Sequence, residues 1–251
     1  MSVLVRTIRG AAGGRRAACA LAAVLLASAI THPLVAPPSA VAARPPGVQR
    51  LATLLHDQTA RSSPNVHARR VDYLAAHRPL TGVPTVLPVL GKPVRRGGSA
   101  WLHVEIPGRP NGRTGWIQAA KTRRSSTTWQ LTVELGKSRV VVYRDGRVVR
   151  RFTAVIGKPA TPTPRGRFFV EEALALSDQD AGGPFALATS ARSTVLQEFE
   201  GGPGQIAIHG THNISGALGT AVSHGCVRLD GAAITWLSQR IGAGVPMTIT
   251  S

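Results

Sequence analysis

The sequence predicts a mainly β protein in which a small β module precedes a larger β domain with one clear helix. Three observations carry that prediction. From Pro84 onward, short runs of β-branched, apolar and aromatic residues are separated by clusters of Gly, Pro and Asn, the texture of strands and turns. Asp145-Gly146 stands between two such runs and is a strong two-residue hairpin signal. A single stripe at helical spacing, Ile234, Leu237 and Ile241, appears near the end of the chain.

In chain order, residues 1–42 read as a secretory signal peptide. Arg6, Arg9, Arg15 and Arg16 precede the uncharged run Ala17 to Ile30, and Ala40-Val41-Ala42 has the small-x-small pattern of a cleavage site. An uncleaved membrane anchor is the alternative, although the run spans only about 21 Å of a hydrocarbon core of about 30 Å unless it extends to Ala36. Residues 43–81 read as a helical or partly ordered linker. Val48, Leu51, Leu54 and Leu55 recur at helical spacing, and Val71, Tyr73 and Leu74 form a second short pattern after the breaker Ser62-Ser63-Pro64-Asn65.

Residues 82–122 read as a small β module, with runs at Thr85 to Val89, Ala100 to Ile106 and Gly115 to Ile117 around the turn-rich stretch Pro107 to Arg113. A strand with Trp101, a Gly and Pro turn, then Gly115-Trp116-Ile117 resembles a bacterial SH3-like barrel of the kind found beside cell-wall enzymes. Arg123 to Thr128 reads as a basic, hydroxyl-rich linker.

The second domain is placed at residues 126–251. Trp129, Leu131, Val133 and Leu135 alternate with polar residues, and Arg139 to Tyr143 pairs with Arg147 to Thr153 across the hairpin. Further strands are expected at Ala154 to Ile156 and Gly166 to Glu171, with three prolines between them. Residues 173–204, which include Gly182-Gly183-Pro184 and Gly201-Gly202-Pro203-Gly204, read as a short strand within long mobile loops able to wall a cleft. Gln205 to Ile208 is an apolar strand delivering His209 at its end. Asp230 fits a helix N-cap, Gly242 a C′ stop, and Val245 to Ile249 a final strand.

The formal charge is +18, and removal of residues 1–42 leaves 26 basic against 12 acidic side chains, or +14. Such a chain is drawn to polyanions. The outward-directed leader and an aromatic content of 4% argue against nucleic acid, and anionic cell-wall polymers or lipid headgroups are the expected partners. Cleavage also removes Cys19 and leaves Cys226 alone, in a compartment where paired cysteines become disulfides. A lone buried cysteine is ordinarily a small hydrophobe; here His224, Gly225 and Arg228 around it point to chemistry instead.

That chemistry is concentrated in Ile206-Ala207-Ile208-His209-Gly210, a spacer of 12 residues, and Ser223-His224-Gly225-Cys226-Val227-Arg228-Leu229. A cysteine acts as thiolate, and an imidazole or a set of backbone N–H groups lowers its pKa from about 8.5 into the working range. The stretch therefore holds a nucleophile and candidate bases. A zinc site drawn from His209, His212, His224 and Cys226 is the rival, weakened by the lack of a second cysteine or a nearby acidic base.

The same stretch resembles the signature of the L,D-transpeptidase (YkuD-like) catalytic domain, and the resemblance covers residues 126–251. Thr163-Pro164-Arg165-Gly166 before a strand, and the order strand, His209, loop, Cys226, helix, support it. It implies a β-sandwich-like domain with one helix, no cofactor and no metal. Cys226 would attack an L-to-D peptide bond of a donor tetrapeptide in peptidoglycan, release D-alanine, and pass the acyl group from a thioester to an acceptor amine. His209 would be the base, oriented by the carbonyl of Gly210, and backbone N–H groups from His224 to Cys226, through Gly225, would form the oxyanion hole. Arg228, Ser223 and His212 are the expected substrate-side residues; Arg228 belongs to the family's Arg subgroup, and Ser223 also fits a turn-fixing role. The resemblance further implies covalent inhibition by carbapenem-type β-lactams and location in the cell envelope. An L,D-carboxypeptidase using the same thioester, or a non-catalytic wall-binding protein, remain alternatives.

Overall fold

The computed structural model describes residues 47–177, 179–199 and 201–251, so the expected signal peptide or anchor lies outside the described residues. The N-terminal part is a seven-stranded antiparallel sheet. Its strands are β1 (Gln49–Leu54), β2 (Gln58–Arg61), β3 (Arg70–Leu74), β4 (Val86–Arg96), β5 (Ser99–Glu105), β6 (Thr114–Gln118) and β7 (Thr122–Thr127), in the order β3-β2-β6-β5-β4-β1-β7. Leu54, Leu87, Leu102, Val104 and Ile117 fill its core.

Two expectations are corrected here. Of residues 43–81, those described, 47–81, form no helix: β1, β2 and β3 lie there, and the β module runs over 49–127 rather than 82–122. Four apolar residues at helical spacing in so short a run also satisfy a strand, and β1 lies between β4 and β7, bonded to both. Ladder pairing on two sides outweighs the local pattern. The basic stretch after residue 122 is likewise no linker, because β7 forms the outer strand beside β1.

The second sheet has eight strands in the order β10-β9-β8-β17-β12-β13-β14-β16. They are β8 (Trp129–Glu134), β9 (Arg139–Arg144), β10 (Arg147–Thr153), β12 (Gly166–Ala175), β13 (Phe185–Arg192), β14 (Gln205–Gly210), β16 (Val227–Leu229) and β17 (Pro246–Thr250). A separate parallel pair joins β11 (Ile156–Gly157) to β15 (Ala221–Ser223). The β9–β10 turn adopts positive φ at both Asp145 and Gly146, as a two-residue hairpin of the I′ kind requires. The helix α1 (Gly231–Ser238) starts where expected, with the Asp230 side chain accepting from Ala233 N–H, and buries Ala233, Ile234 and Leu237. It ends at Gln239, three residues before Gly242, so the expected C′ role of that glycine is not realised. Among the described residues no helix is long and apolar enough to cross a membrane.

The loops expected over 173–204 are partly strand. β12 continues to Ala175, and β13 is a central strand with six consecutive buried residues, Leu187 to Arg192. A strand covered on both faces loses the alternation that would betray it in sequence. Arg192 and the neighbouring Glu171 are buried because they face each other, with Arg192 Nη2 donating to Glu171 Oε1 at 3.0 Å. Arg78 of the β module reaches the same carboxylate and lies 3.6 Å from Glu172. Thr81 also donates to Glu172, at 2.7 Å. Period-two alternation along β12 sends Phe168 and Val170 into the second core and Phe169 into the core of the β module.

Candidate active site

The site is built on the parallel ladder of β14 and β16, which pairs Ile208 with Val227, His209 with Arg228 and Gly210 with Leu229. Ile206, Ile208, Val227 and Leu229 are buried on one face. Alternation therefore turns Ala207, His209, Cys226 and Arg228 to the opposite face, where all four are half-buried. The Ala207 N–H donates to Cys226 Sγ at 3.4 Å, a contact that favours thiolate over thiol.

His209 Nδ1 lies 2.8 Å from the carbonyl oxygen of Gly210. A carbonyl only accepts, so Nδ1 carries the proton and Nε2 keeps its lone pair. Burial pushes the imidazole pKa down; the Gly210 bond opposes this, and the positive charge of Arg228 lowers it further. A neutral ring with a free Nε2 is the form a general base needs. The ring is backed by Gly182, whose φ is +89° and where a Cβ would stand 2.4 Å from Nδ1. Gly182 N–H donates to the His212 carbonyl at 2.7 Å, and Gly210 N–H donates to the Gly182 carbonyl at 2.7 Å. The Gly182-Gly183-Pro184 stretch, expected as a mobile loop, is thus fastened against the His209 ring.

The turn before Cys226 is held from inside. Ser223, expected on the substrate side, is fully buried; its Oγ donates to the Cys226 carbonyl at 2.6 Å and accepts from Gly225 N–H at 3.1 Å. Its hydroxyl shapes the turn. For the same reason the Gly225 N–H points into the loop, away from the oxyanion role expected of it. Thr163 Oγ1 donates to the Gly225 carbonyl at 2.8 Å and accepts from Gly157 N–H at 2.9 Å, while Lys158 N–H bonds the Ser223 carbonyl at 3.0 Å. Gly225 has φ +120°, and a Cβ there would meet Ile206 Cδ1 at 2.9 Å, so a side chain here would be strained and would displace Ile206.

Arg228 donates from Nη1 to the Ser215 carbonyl at 2.7 Å and exchanges backbone hydrogen bonds with Val155. Its buried Nε has no partner. Burial lowers its pKa and the charge on Cys226 opposes that shift. The guanidinium therefore braces the 211–222 loop beside the sulfur. His224 is exposed, with Nε2 3.4 Å from Lys158 Nζ and its ring stacked on Phe199 at 5.5 Å between centroids. The His212 side chain is exposed on the loop beyond β14. His209 is turned to Gly210 and His224 to Lys158, and among the described residues no group of three or more His, Cys, Asp or Glu side chains is placed to share a metal. Lys158, Phe199 and Gly182 were not singled out from the sequence. The glycine pair and the aromatic in a Gly-rich loop were visible there, but nothing local shows which strand end they pack against.

Residues 128–249 match the sequence model of the L,D-transpeptidase catalytic domain, YkuD. The YkuD protein of Bacillus subtilis, which carries an L,D-transpeptidase name, is 26% identical over 156 residues, 62% of this chain and 79% of its own length. Its Bacillus licheniformis namesake is 30% identical over 122 residues, 49% of this chain and 66% of its own. A solved structure of L,D-transpeptidase 3 from Mycobacterium tuberculosis, in complex with a faropenem-derived adduct, overlaps 66% of this chain and 91% of its own at 15% identity and a TM-score of 0.42.

Proposed function

We propose, from an L,D-transpeptidase catalytic domain matched over residues 128–249, that this protein cross-links peptidoglycan stem peptides through a thioester on Cys226. One observation carries the proposal: Cys226, held just before β16 by the Ala207 N–H, lies on the same side as His209 of the paired strand β14, whose Nδ1–H is bonded to the Gly210 carbonyl.

The thiol proton passes to His209 Nε2, and Sγ bonds to the carbonyl carbon of the L-to-D peptide bond of the donor. The negative oxygen develops against the 224–226 turn, with the Gly225 N–H already committed to Ser223 Oγ, and each remaining backbone donor would contribute about 3–4 kcal/mol. Collapse breaks the C–N bond, and the departing D-alanine amine takes the proton from His209. An acceptor amine then gives a proton to the same nitrogen, attacks the thioester carbon and releases the thiolate. The Gly210 carbonyl stands where other triads place a carboxylate. Lys158 and the half-buried Arg228 supply the positive charge that a donor carboxylate would meet. Release to water in place of an amine gives the carboxypeptidase reading. Export to the cell envelope, adhesion to anionic wall polymers and an SH3-like role for the β module belong to this proposal. So does acylation by carbapenems.

The test is intact-mass analysis of residues 43–251 with a disaccharide tetrapeptide and with a carbapenem, beside Cys226→Ala and His209→Ala. The proposal expects an adduct on the parent protein, none on Cys226→Ala, and a dimeric stem product when acceptor is supplied. A folded protein with a free thiol that takes neither reagent refutes it, and a tripeptide product without dimer selects hydrolysis.

A further inference from the structure

The connection between β5 and β6, residues 106–113, lies against the segment that joins β13 to β14. The Arg109 guanidinium receives four carbonyls of that segment. Nη1 donates to Pro203 at 2.7 Å and to Gln197 at 3.4 Å; Nη2 donates to Leu196 at 2.7 Å and Ser193 at 3.0 Å. Asn111 clasps the adjoining residue, donating to the Arg192 carbonyl at 2.8 Å and accepting its N–H at 2.9 Å. Arg113 anchors the connection in turn, through the Arg109 carbonyl at 2.9 Å and Asp72 at 2.6 Å. The held segment is closed at its base by Ser193 N–H on Gly204, at 2.8 Å, and at its far end by reciprocal bonds between Phe199 and Gly202, each 3.0 Å. Phe199 stacks on His224, two residues from Cys226, at 5.5 Å and 30° between planes.

Four carbonyl dipoles converging on one point repel one another unless a cation with several divergent N–H groups sits there. The planar fork of arginine meets that need, and a lysine ammonium with three protons meets it only in part. We propose that Arg109 of the β module is a positioning residue for the acyl-donor site: by gathering these carbonyls it seats Phe199 on His224 and sets the wall of the cleft beside Cys226. The inference rests on Cys226 being the nucleophile. It also gives the β module a part in substrate binding that adhesion to the wall would not.

The experiment uses the exported chain as Arg109→Ala, Arg109→Lys, Phe199→Ala and the Arg109→Ala/Phe199→Ala double variant. For the tetrapeptide donor, Arg109→Ala should raise KM about tenfold with kcat within about threefold, the signature of lost uniform binding. Arg109→Lys should recover part of that. Phe199→Ala should match it, and the double variant should be no worse than either single one, because both act on one contact. Alkylation of Cys226 by iodoacetamide should stay unchanged, since the β14–β16 ladder sets the thiol and imidazole. Wild-type KM in Arg109→Ala, or effects of the two substitutions that multiply, would overturn the proposal. If the parent protein forms no acyl adduct, the catalytic reading fails separately. The positioning claim is then read from the His224 ring-proton resonances and from amide exchange over 193–199. A ring-current shift lost together with faster exchange in Arg109→Ala sustains it, and unchanged spectra and exchange sink it.

Discussion

If His209 is the base of the proposed reaction, substituting Gly182 by alanine should silence it without altering Cys226 or His209 itself. The added Cβ would lie 2.4 Å from Nδ1, whereas real Cβ contacts essentially never fall below 3.0 Å, so the ring or the 182 turn must move by at least 0.6 Å. The ring is tied to Gly210 O at 2.8 Å and the turn to Gly210 N–H and the His212 carbonyl. Either movement breaks a bond that orients the base, and a misplacement approaching 1 Å costs about 10²-fold in rate. The φ of +89° adds a backbone term of about 1–2 kcal/mol for alanine, equivalent to a fall in Tm of about 2–8 °C for a chain of this size. Gly98→Ala separates the two effects, because Gly98 has φ +73° with nothing within 4 Å of the added Cβ. A time course of acyl-enzyme formation by intact mass should show Gly182→Ala slower by about 10²-fold and Gly98→Ala unchanged, with Gly98→Ala losing Tm from the backbone term alone and Gly182→Ala losing more. Acylation by Gly182→Ala within threefold of the parent rate would refute the claim that this glycine seats the base.

Burial and Arg228 hold the His209 imidazole below its usual range, so the acidic limb of the acylation rate should fall below pH 6.5. Arg228→Gln removes a positive charge and should move that limb to higher pH; movement the other way contradicts the electrostatic reading. The folded state binds this proton less readily than the unfolded chain does, so stability declines as pH falls below about 6.5 toward the folded value. His209→Gln should flatten that part of a Tm–pH curve. Arg78→Met leaves Glu172 without its cation and Glu171 with Arg192 alone. The loss should approach about 3 kcal/mol, seen as a Tm lower by about 6–12 °C. Asp230→Ala removes the side chain that accepts from Ala233 N–H and should cost about 1 kcal/mol, a thermal shift of about 2–4 °C with the acylation rate retained.

The hairpin at Asp145-Gly146, the strand ending in His209 and the Asp230 cap were readable in the sequence because each depends on neighbours in the chain. Turn chemistry, alternation and capping are local rules. β1 and β13 were not readable, for opposite reasons. β1 has a pattern that fits two periods, and only its place between β4 and β7 decides the matter. β13 has no alternation because it lies inside the sheet with both faces covered, and its polar Thr189, Ser190 and Arg192 each have a partner distant in sequence. At the site, the cysteine, the histidine and the glycine carbonyl were all legible from one motif. The pieces that hold them were not: Gly182 approaches His209 from 27 residues upstream, and Arg109 acts from the other sheet.

The lock between β14 and β16 bears on how such a chain can diversify. His209 lies on β14 and Cys226 immediately before β16, two strands that a ladder holds in fixed register, while the residues between Gly210 and Ser223 contribute nothing to that ladder. The exposed side chains of this connection, His212 among them, can therefore be exchanged while the register of Cys226 against His209 is inherited intact, provided the His212 and Ser215 carbonyls keep Gly182 and Arg228 as partners. Variation can then settle in one loop, with no rebuilding of the paired strands beneath it.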